Sequence, residues 1–101
     1  MRDKFTILIA DKNKNVRDFL RRELTAEGYE VIAARDGNQL LNAICRGDPL
    51  DLLILDLEIP DSDSSKILEM TQTRNPPLPV VIHTFLTEES ERDDLSQARL
   101  Y

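Results

Sequence analysis

The sequence predicts an α/β fold: one parallel β-sheet with helices on both faces. Four short runs rich in Ile, Val and Leu recur along the chain, at 5–10, 29–34, 50–55 and 79–83. The segments between them carry apolar residues at helical spacing. Regular alternation of strand and helix favours right-handed crossovers between parallel strands, and near-continuous apolar runs are typical of strands that are buried on both faces.

The helices are predicted from their apolar spacing and their end signals. The first ends at Gly28, where a left-handed helix stop is wanted. The second runs from about Gly37 to Arg46, and the third from about Ser64 to Arg74. A fourth, Thr87 to Tyr101, starts with a good cap but has few apolar residues. The residues predicted to face inward are Val16, Phe19, Leu20 and Leu24 in the first helix, Leu40, Leu41 and Ile44 in the second, and Ile67, Leu68 and Met70 or Thr71 in the third.

Length and composition predict a single globular domain over residues 1–101. The chain is 41% hydrophobic and 32% charged, unlike a disordered protein. Its net charge is −6 and its basic residues are scattered, so we expect no nucleic-acid binding by this chain alone. The apolar run near the start is too short for a signal peptide or a membrane span, which predicts a cytoplasmic protein without a membrane partner. Cys45 falls in an apolar helical pattern and is predicted to be a buried, reduced thiol.

Polar residues follow three of the four predicted strands at matching places. They are Asp11, Asp56 and Thr84, each at or just after the end of an apolar run. Open parallel sheets bind ligands outside the carboxyl ends of their strands, where the strand order reverses. If the first, third and fourth strands are neighbours, these side chains project about 5 Å apart. One such residue alone is better explained as a strand end meeting water, but three together indicate a site.

At this point the chain resembles the receiver domain of two-component response regulators, over essentially all of its length. The resemblance is carried by the order and spacing of several motifs, which are ILIADKN, EGYEV, ARDG, LDLLILDLEIPD and PLPVVIHT. It implies a flavodoxin-like fold with strand order 2-1-3-4. It also implies a signalling domain, not an enzyme.

The resemblance implies a role for each polar residue at this edge. Asp56 would accept a phosphoryl group from a histidine kinase or a phosphotransfer protein. Asp11, Asp56 and the backbone carbonyl of Glu58 would hold Mg²⁺, which offsets the repulsion between a carboxylate and a phosphate dianion. Thr84 would contact the phosphoryl group and report it, through a change of surface, to an output domain or target protein.

Lys12 departs from the family pattern, which has a second acid at this position. Its ammonium could take the place of the metal as a cation substitute, since an opposite charge at about 4 Å is strongly attracted. Its flexible stem could equally swing out to solvent and leave a metal site with one ligand fewer. Both interpretations predict weakened Mg²⁺ binding.

Three smaller departures surround the site. Phe85 stands where the family favours a small residue, and its ring would crowd the phosphoryl site or turn against the last helix. His83 occupies an aliphatic position and is interpreted as a packed or edge histidine, because no ligand set or triad stands near it in sequence. Ser64 replaces a frequent glycine.

The C-terminal part also differs from the family, which continues into a fifth strand with a phosphoryl-binding lysine and a fifth helix. The chain ends at Tyr101, so we expect the fourth strand to be an edge with unpaired backbone groups. Either a second subunit covers this edge, giving a homodimer, or the sequence is a fragment of a longer protein.

Two alternatives to a phosphoacceptor remain at this stage. Lys12 and the absent basic strand are compatible with a degenerate receiver that acts as a phosphorylation-independent interaction module. The spacing of Asp56 and Glu58 also resembles the Asp-x-Asp motif of haloacid-dehalogenase-type phosphatases, although that motif belongs to the first strand of a larger domain.

Overall fold

The computed structural model describes residues 4–83 and 99–100, which form a five-stranded sheet and three helices. In chain order the elements are β1 (Thr6–Ala10), α1 (Lys14–Ala26), β2 (Glu30–Ala34), α2 (Gly37–Cys45), β3 (Leu52–Leu55), α3 (Ser64–Thr73), β4 (Val80–Ile82) and β5 (Arg99–Leu100). The four predicted strands and the first three predicted helices are therefore confirmed.

The sheet has the order β2-β1-β3-β4-β5. β1 pairs in parallel with both β2 and β3, and β3 pairs in parallel with β4. The predicted order 2-1-3-4 is confirmed, and with it the flavodoxin-like class. The chain order reverses between β1 and β3, which makes the carboxyl ends of these two strands the expected ligand site.

The main hydrophobic core lies between the sheet and the pair α2 and α3. Leu53 and Leu55 of β3 project to this face, because alternate residues of a strand share a face. They belong to one buried cluster with Leu40 and Ile44 of α2 and Ile67 of α3. The inward faces predicted for α2 and α3 are confirmed by the burial of these helix residues.

The opposite face of the sheet is covered by α1, and less completely. Ile54 of β3, Val81 of β4 and Phe19 of α1 line an apolar groove of about 430 Å³ on this side. Phe19 is 51% exposed, so its predicted inward position is wrong. Its ring lines the groove, and the guanidinium carbon of Arg22 lies 5.7 Å from the ring centroid.

The helix ends follow local capping chemistry. Asn13, Asp36 and Asp63 are the N-caps of α1, α2 and α3, and each side chain accepts backbone N–H bonds from the first turn. After α1 and α2 come Gly28 and Gly47, whose φ angles of 96° and 81° favour glycine. Within the described residues, we find no helix with the length and hydropathy that crossing a bilayer demands.

The chain forms a strand at two residues where the sequence predicted a helix. Arg99 and Leu100 pair antiparallel with Ile82 and Val81 of β4. The helix predicted over Thr87–Tyr101 is therefore wrong at these two residues, and its other residues lie outside those described. Unpaired backbone groups at a sheet edge are stabilised by pairing, which here outweighs a weak helical pattern.

This fifth strand also corrects the predicted open edge. β5 covers β4 at Val81 and Ile82, so the edge expected to need a second subunit is paired within the chain. β5 is antiparallel and two residues long, and it lacks the lysine of the strand that the resemblance implies. The homodimer predicted through this edge thus loses the observation that motivated it.

Cys45 is exposed, and its predicted burial is wrong. It is the last residue of α2 and follows the buried Ile44. One further residue turns the side chain by about 100° around the helix axis, which carries the thiol off the core-facing side.

Candidate functional site

The structure brings together two of the residues predicted to form the site. Asp11 follows β1 and Asp56 follows β3, and these strands pair in register with Ala10 opposite Leu55. The Asp56 amide donates to the Ala10 carbonyl oxygen at 2.9 Å. Each aspartate is 6% exposed. Two carboxylates therefore share one buried place at the carboxyl edge of the sheet.

A hydrogen bond of the same type orients each of the two carboxylates: each accepts the backbone N–H of the residue two positions further along the chain. Oδ1 of Asp11 accepts the amide N–H of Asn13 at 2.8 Å, and Oδ1 of Asp56 accepts the amide N–H of Glu58 at 2.9 Å. The Arg17 side chain donates to the Asp11 carbonyl oxygen at 2.8 Å and ties α1 to this loop. The backbone after each strand thus sets the direction of the carboxylate.

A small pocket lies between these residues. Asp11, Lys12, Asn13, Val16 and Asp56 line a volume of about 60 Å³. This is roughly the volume of two water molecules in the liquid, so the pocket suits a cation or a few polar atoms.

Burial is the main influence on the titration of Asp11. It raises the pKa of this carboxyl above the ordinary value, because the charged form is poorly solvated. The amide N–H of Asn13 opposes the shift, and the neighbouring charge of Asp56 adds to it. The charged form of Asp11 therefore destabilises the folded protein, and such perturbed carboxylates are typical of functional sites.

Lys12 forms an ion pair that the sequence interpretation did not include. Its Nζ lies 2.6 Å from Oε1 of Glu58, and the two side chains are 48% and 40% exposed. The ammonium neither sits between Asp11 and Asp56 nor extends alone into solvent. The sequence contained a signal for this pair: Lys12 lies one position after Asp11, and Glu58 lies two positions after Asp56.

The loop after Asp56 is held against the start of α2, a contact that sequence analysis missed. The amide N–H of Gly37 donates to the Pro60 carbonyl oxygen at 2.7 Å. A Cβ added at Gly37 would overlap the Asp61 carbonyl group and lie 2.7 Å from the Cα of Ser62. Only glycine allows this approach between α2 and the loop that begins at Asp56.

The oxygen donors present fit Mg²⁺, with few protein ligands. This cation is commonly bound through one or two carboxylates while it keeps several waters. In the described part of the chain, no group of three or more acidic, histidine or cysteine side chains is placed to hold a metal. Asp11 and Asp56 would supply the two carboxylates of such a site, and the Glu58 carbonyl belongs to the same loop as Asp56.

The remaining predicted site residues belong to β4 and the segment after it. His83 is half-buried and lines the apolar groove beside α1. Thr84 and Phe85 lie outside the described residues. The roles of all these residues, and of Asp11 and Asp56, stay predictions.

A parallel sheet of order 2-1-3-4 with two buried aspartates at its switch point defines a flavodoxin-like α/β domain with an acidic site, in agreement with the sequence motifs. Residues 7–100 match the family model of the response regulator receiver domain, and the chain belongs to this family.

Relatives with curated names agree with the family match. The response regulator MprA of Mycolicibacterium vanbaalenii is 34% identical over 86 residues, and MprA of Mycobacterium leprae is 35% identical over the same length. Each alignment covers 85% of this chain and 37% of the relative. The chain therefore spans 37% of the length of these relatives.

Solved structures share the fold. A CheY-like receiver domain protein from Methanospirillum hungatei has a TM-score of 0.73 and 25% identity, over 94% of this chain and 76% of that one. The response regulator TrrA of Thermotoga maritima, solved in complex with Mg²⁺-BeF, has a TM-score of 0.71 and 29% identity, over 91% and 77%. The chain is thus a two-component receiver domain, and these matches favour neither the interaction-module nor the phosphatase alternative.

Proposed function

We propose that this receiver domain accepts a phosphoryl group on Asp56 from a histidine kinase or a phosphotransfer protein, with Mg²⁺ bound beside it. Asp11, Asp56 and the backbone carbonyl of Glu58 would hold the cation, and Thr84 would contact the phosphoryl group. The observation that carries this proposal is the burial of Asp11 and Asp56 side by side around one pocket.

Asp56 is the better placed of the two carboxylates to act as the nucleophile. It follows β3, which has a strand on either side in the sheet, β1 and β4. Groups at the ends of both neighbours can therefore converge on it: Asp11 after β1 and Thr84 after β4. Asp11 also follows a strand with a neighbour on either side, but its other neighbour, β2, ends at Ala34, which has no polar side chain to contribute.

The proposed reaction transfers the phosphoryl group between two side chains. A carboxylate oxygen of Asp56 attacks phosphorus, the bond from phosphorus to the donor nitrogen breaks, and the electron pair stays on the donor histidine. Mg²⁺, when bound, would offset the charge repulsion between the two anions. The hydrogen bond from the Glu58 amide to Oδ1 keeps the Asp56 carboxylate in one orientation for this attack.

The output of the proposed reaction is a change of surface. A phosphoryl group adds negative charge and hydrogen-bond acceptors at the carboxyl edge of the sheet. We propose that an output domain or a target protein reads this change, and that the reaction takes place in the cytoplasm.

Phosphoryl uptake tests the proposal directly. We expect wild-type protein, given a small acyl phosphate and Mg²⁺, to gain the mass of one phosphoryl group, measured on the intact protein. Asp56→Asn is expected to abolish this gain. Asp51→Asn is the matched control, because Asp51 precedes the same strand at its other end and accepts the Thr6 amide N–H there.

Two results would contradict the proposal. One is a wild-type protein that gains no mass at millimolar donor and metal, which would favour a phosphorylation-independent interaction module. The other is full uptake by Asp56→Asn, which would place the acceptor elsewhere.

A further inference from the structure

The ion pair between Lys12 and Glu58 bridges the two loops that carry the site. Lys12 lies in the loop after β1 and Glu58 in the loop after β3, and their charged atoms are 2.6 Å apart. The bridge therefore spans the same two strand ends that present Asp11 and Asp56. It places a fixed positive charge next to the proposed cation site.

The Lys12 ammonium lies within the influence of both aspartates. Its pKa is raised, first by the hydrogen bond to Glu58 and to a smaller extent by the charges of Asp56 and Asp11. Lys12 also lines the pocket between them. Because its stem is long and flexible, the ammonium can enter that pocket when nothing holds it elsewhere.

We propose that the Glu58 carboxylate holds the Lys12 ammonium beside the Asp11–Asp56 pocket and so keeps the pocket available to a divalent cation. This inference rests on the proposed Mg²⁺ site. Without Glu58, two carboxylates attract one ammonium, and the lysine takes the place of the metal. Glu58 then acts through its side chain as a positioning residue, in addition to any ligand role of its carbonyl.

The inference differs from a simple effect of charge. If the Glu58 carboxylate acted on the cation only by Coulomb attraction, its effect would add to that of Lys12, and its removal would weaken binding by a similar factor with or without the lysine. If Glu58 acts by restraining Lys12, its removal matters only while the lysine is there. The two accounts therefore give different results in a double-mutant cycle.

The test measures Mg²⁺ affinity alone, in wild type, Glu58→Gln, Lys12→Gln and the double variant. Backbone amide NMR shifts of residues 11–13 and 56–58 during a Mg²⁺ titration report binding without any phosphodonor. We expect Glu58→Gln to weaken Mg²⁺ binding about tenfold or more when Lys12 is present, and less than about twofold when it is not.

A second ion pair provides the matched control. Lys14 and Asp18 are also 2.6 Å apart, on the exposed side of α1, and neither residue lines the pocket. Asp18→Asn removes the same charge as Glu58→Gln and releases a lysine of the same kind. We expect it to leave Mg²⁺ affinity unchanged.

Equal losses from Glu58→Gln in both backgrounds would overturn the inference, as would unchanged affinity in Glu58→Gln. The phosphoryl-uptake experiment tests the phosphoacceptor role independently of this inference. If no variant binds Mg²⁺ but Asp56 still takes a phosphoryl group, this inference is wrong and the phosphoacceptor role stands. If the coupling is found but Asp56 takes none, the inference stands and that role is wrong.

Discussion

Gly37→Ala is expected to destabilise the protein by about 3 kcal/mol or more, at the upper end of what overpacking costs. Gly37 is the first residue of α2, where helix propensity alone predicts a gain from alanine of up to about 1 kcal/mol. The new Cβ would overlap the Asp61 carbonyl group, which is backbone and cannot rotate away. The loop that starts at Asp56 must therefore shift or α2 must move. Urea unfolding followed by far-UV circular dichroism measures the loss.

Gly47→Ala separates this steric effect from the general cost of replacing a glycine. Gly47 has φ 81° and nothing within 4 Å of an added Cβ, so its replacement costs only the left-handed conformation, about 1–2 kcal/mol. The contact with the loop predicts a clearly larger loss for Gly37→Ala. Stability equal to wild type in Gly37→Ala would show that α2 and the loop do not meet as described.

Asp11→Asn is expected to have opposite effects on metal binding and on stability. It replaces one of the two carboxylates of the proposed site by a neutral amide, so Mg²⁺ affinity should fall about tenfold or more. The amide oxygen can still accept the Asn13 N–H, so the local backbone bond is kept. Without metal, the variant should be more stable than wild type at neutral pH, because a poorly solvated charge has been removed.

The pH dependence of this gain follows from the direction of the Asp11 shift. The carboxyl has a raised pKa in the folded protein, so the folded state holds its proton more tightly than the unfolded state. Wild type therefore loses stability as pH rises from the ordinary value of 3.8 through the raised value. The advantage of Asp11→Asn should be full above that window and vanish below it. Thermal unfolding in the presence of a chelator, over a series of pH values, measures this difference.

Asp18→Asn supplies a control of opposite sign. The hydrogen bond from Lys14 lowers the pKa of Asp18, so this carboxylate contributes stability above its ordinary value and loses it as pH falls. Because the pair is exposed, the effect of Asp18→Asn should be a small loss of stability at neutral pH.

A stability loss in Asp11→Asn at neutral pH would contradict the argument that burial of the Asp11 charge destabilises the protein.

Two kinds of sequence pattern led to most of the correct predictions of the fold and the site. Apolar periodicity located β1 to β4 and α1 to α3, since burial of one face requires that spacing. Polar residues at strand ends located Asp11 and Asp56, since parallel strands bring their carboxyl ends to one edge. Two errors concern side chains that are exposed, the ring of Phe19 and the thiol of Cys45. The third is the helix expected at Arg99 and Leu100, where the backbone pairs with β4 as β5.

The order of β1 to β4 and of α1 to α3, the family and the two acids of the proposed site were predictable from the sequence, because these depend on spacing along one chain. The folded structure was needed to show what Lys12 contacts, why residue 37 must be glycine and which backbone pairs with the edge of β4. Each of these is a contact between residues distant in the chain, set by how strands and loops align in space. Such contacts could not be predicted from a periodic pattern, because none exists for a flexible lysine, for a residue without a side chain or for a strand of two residues.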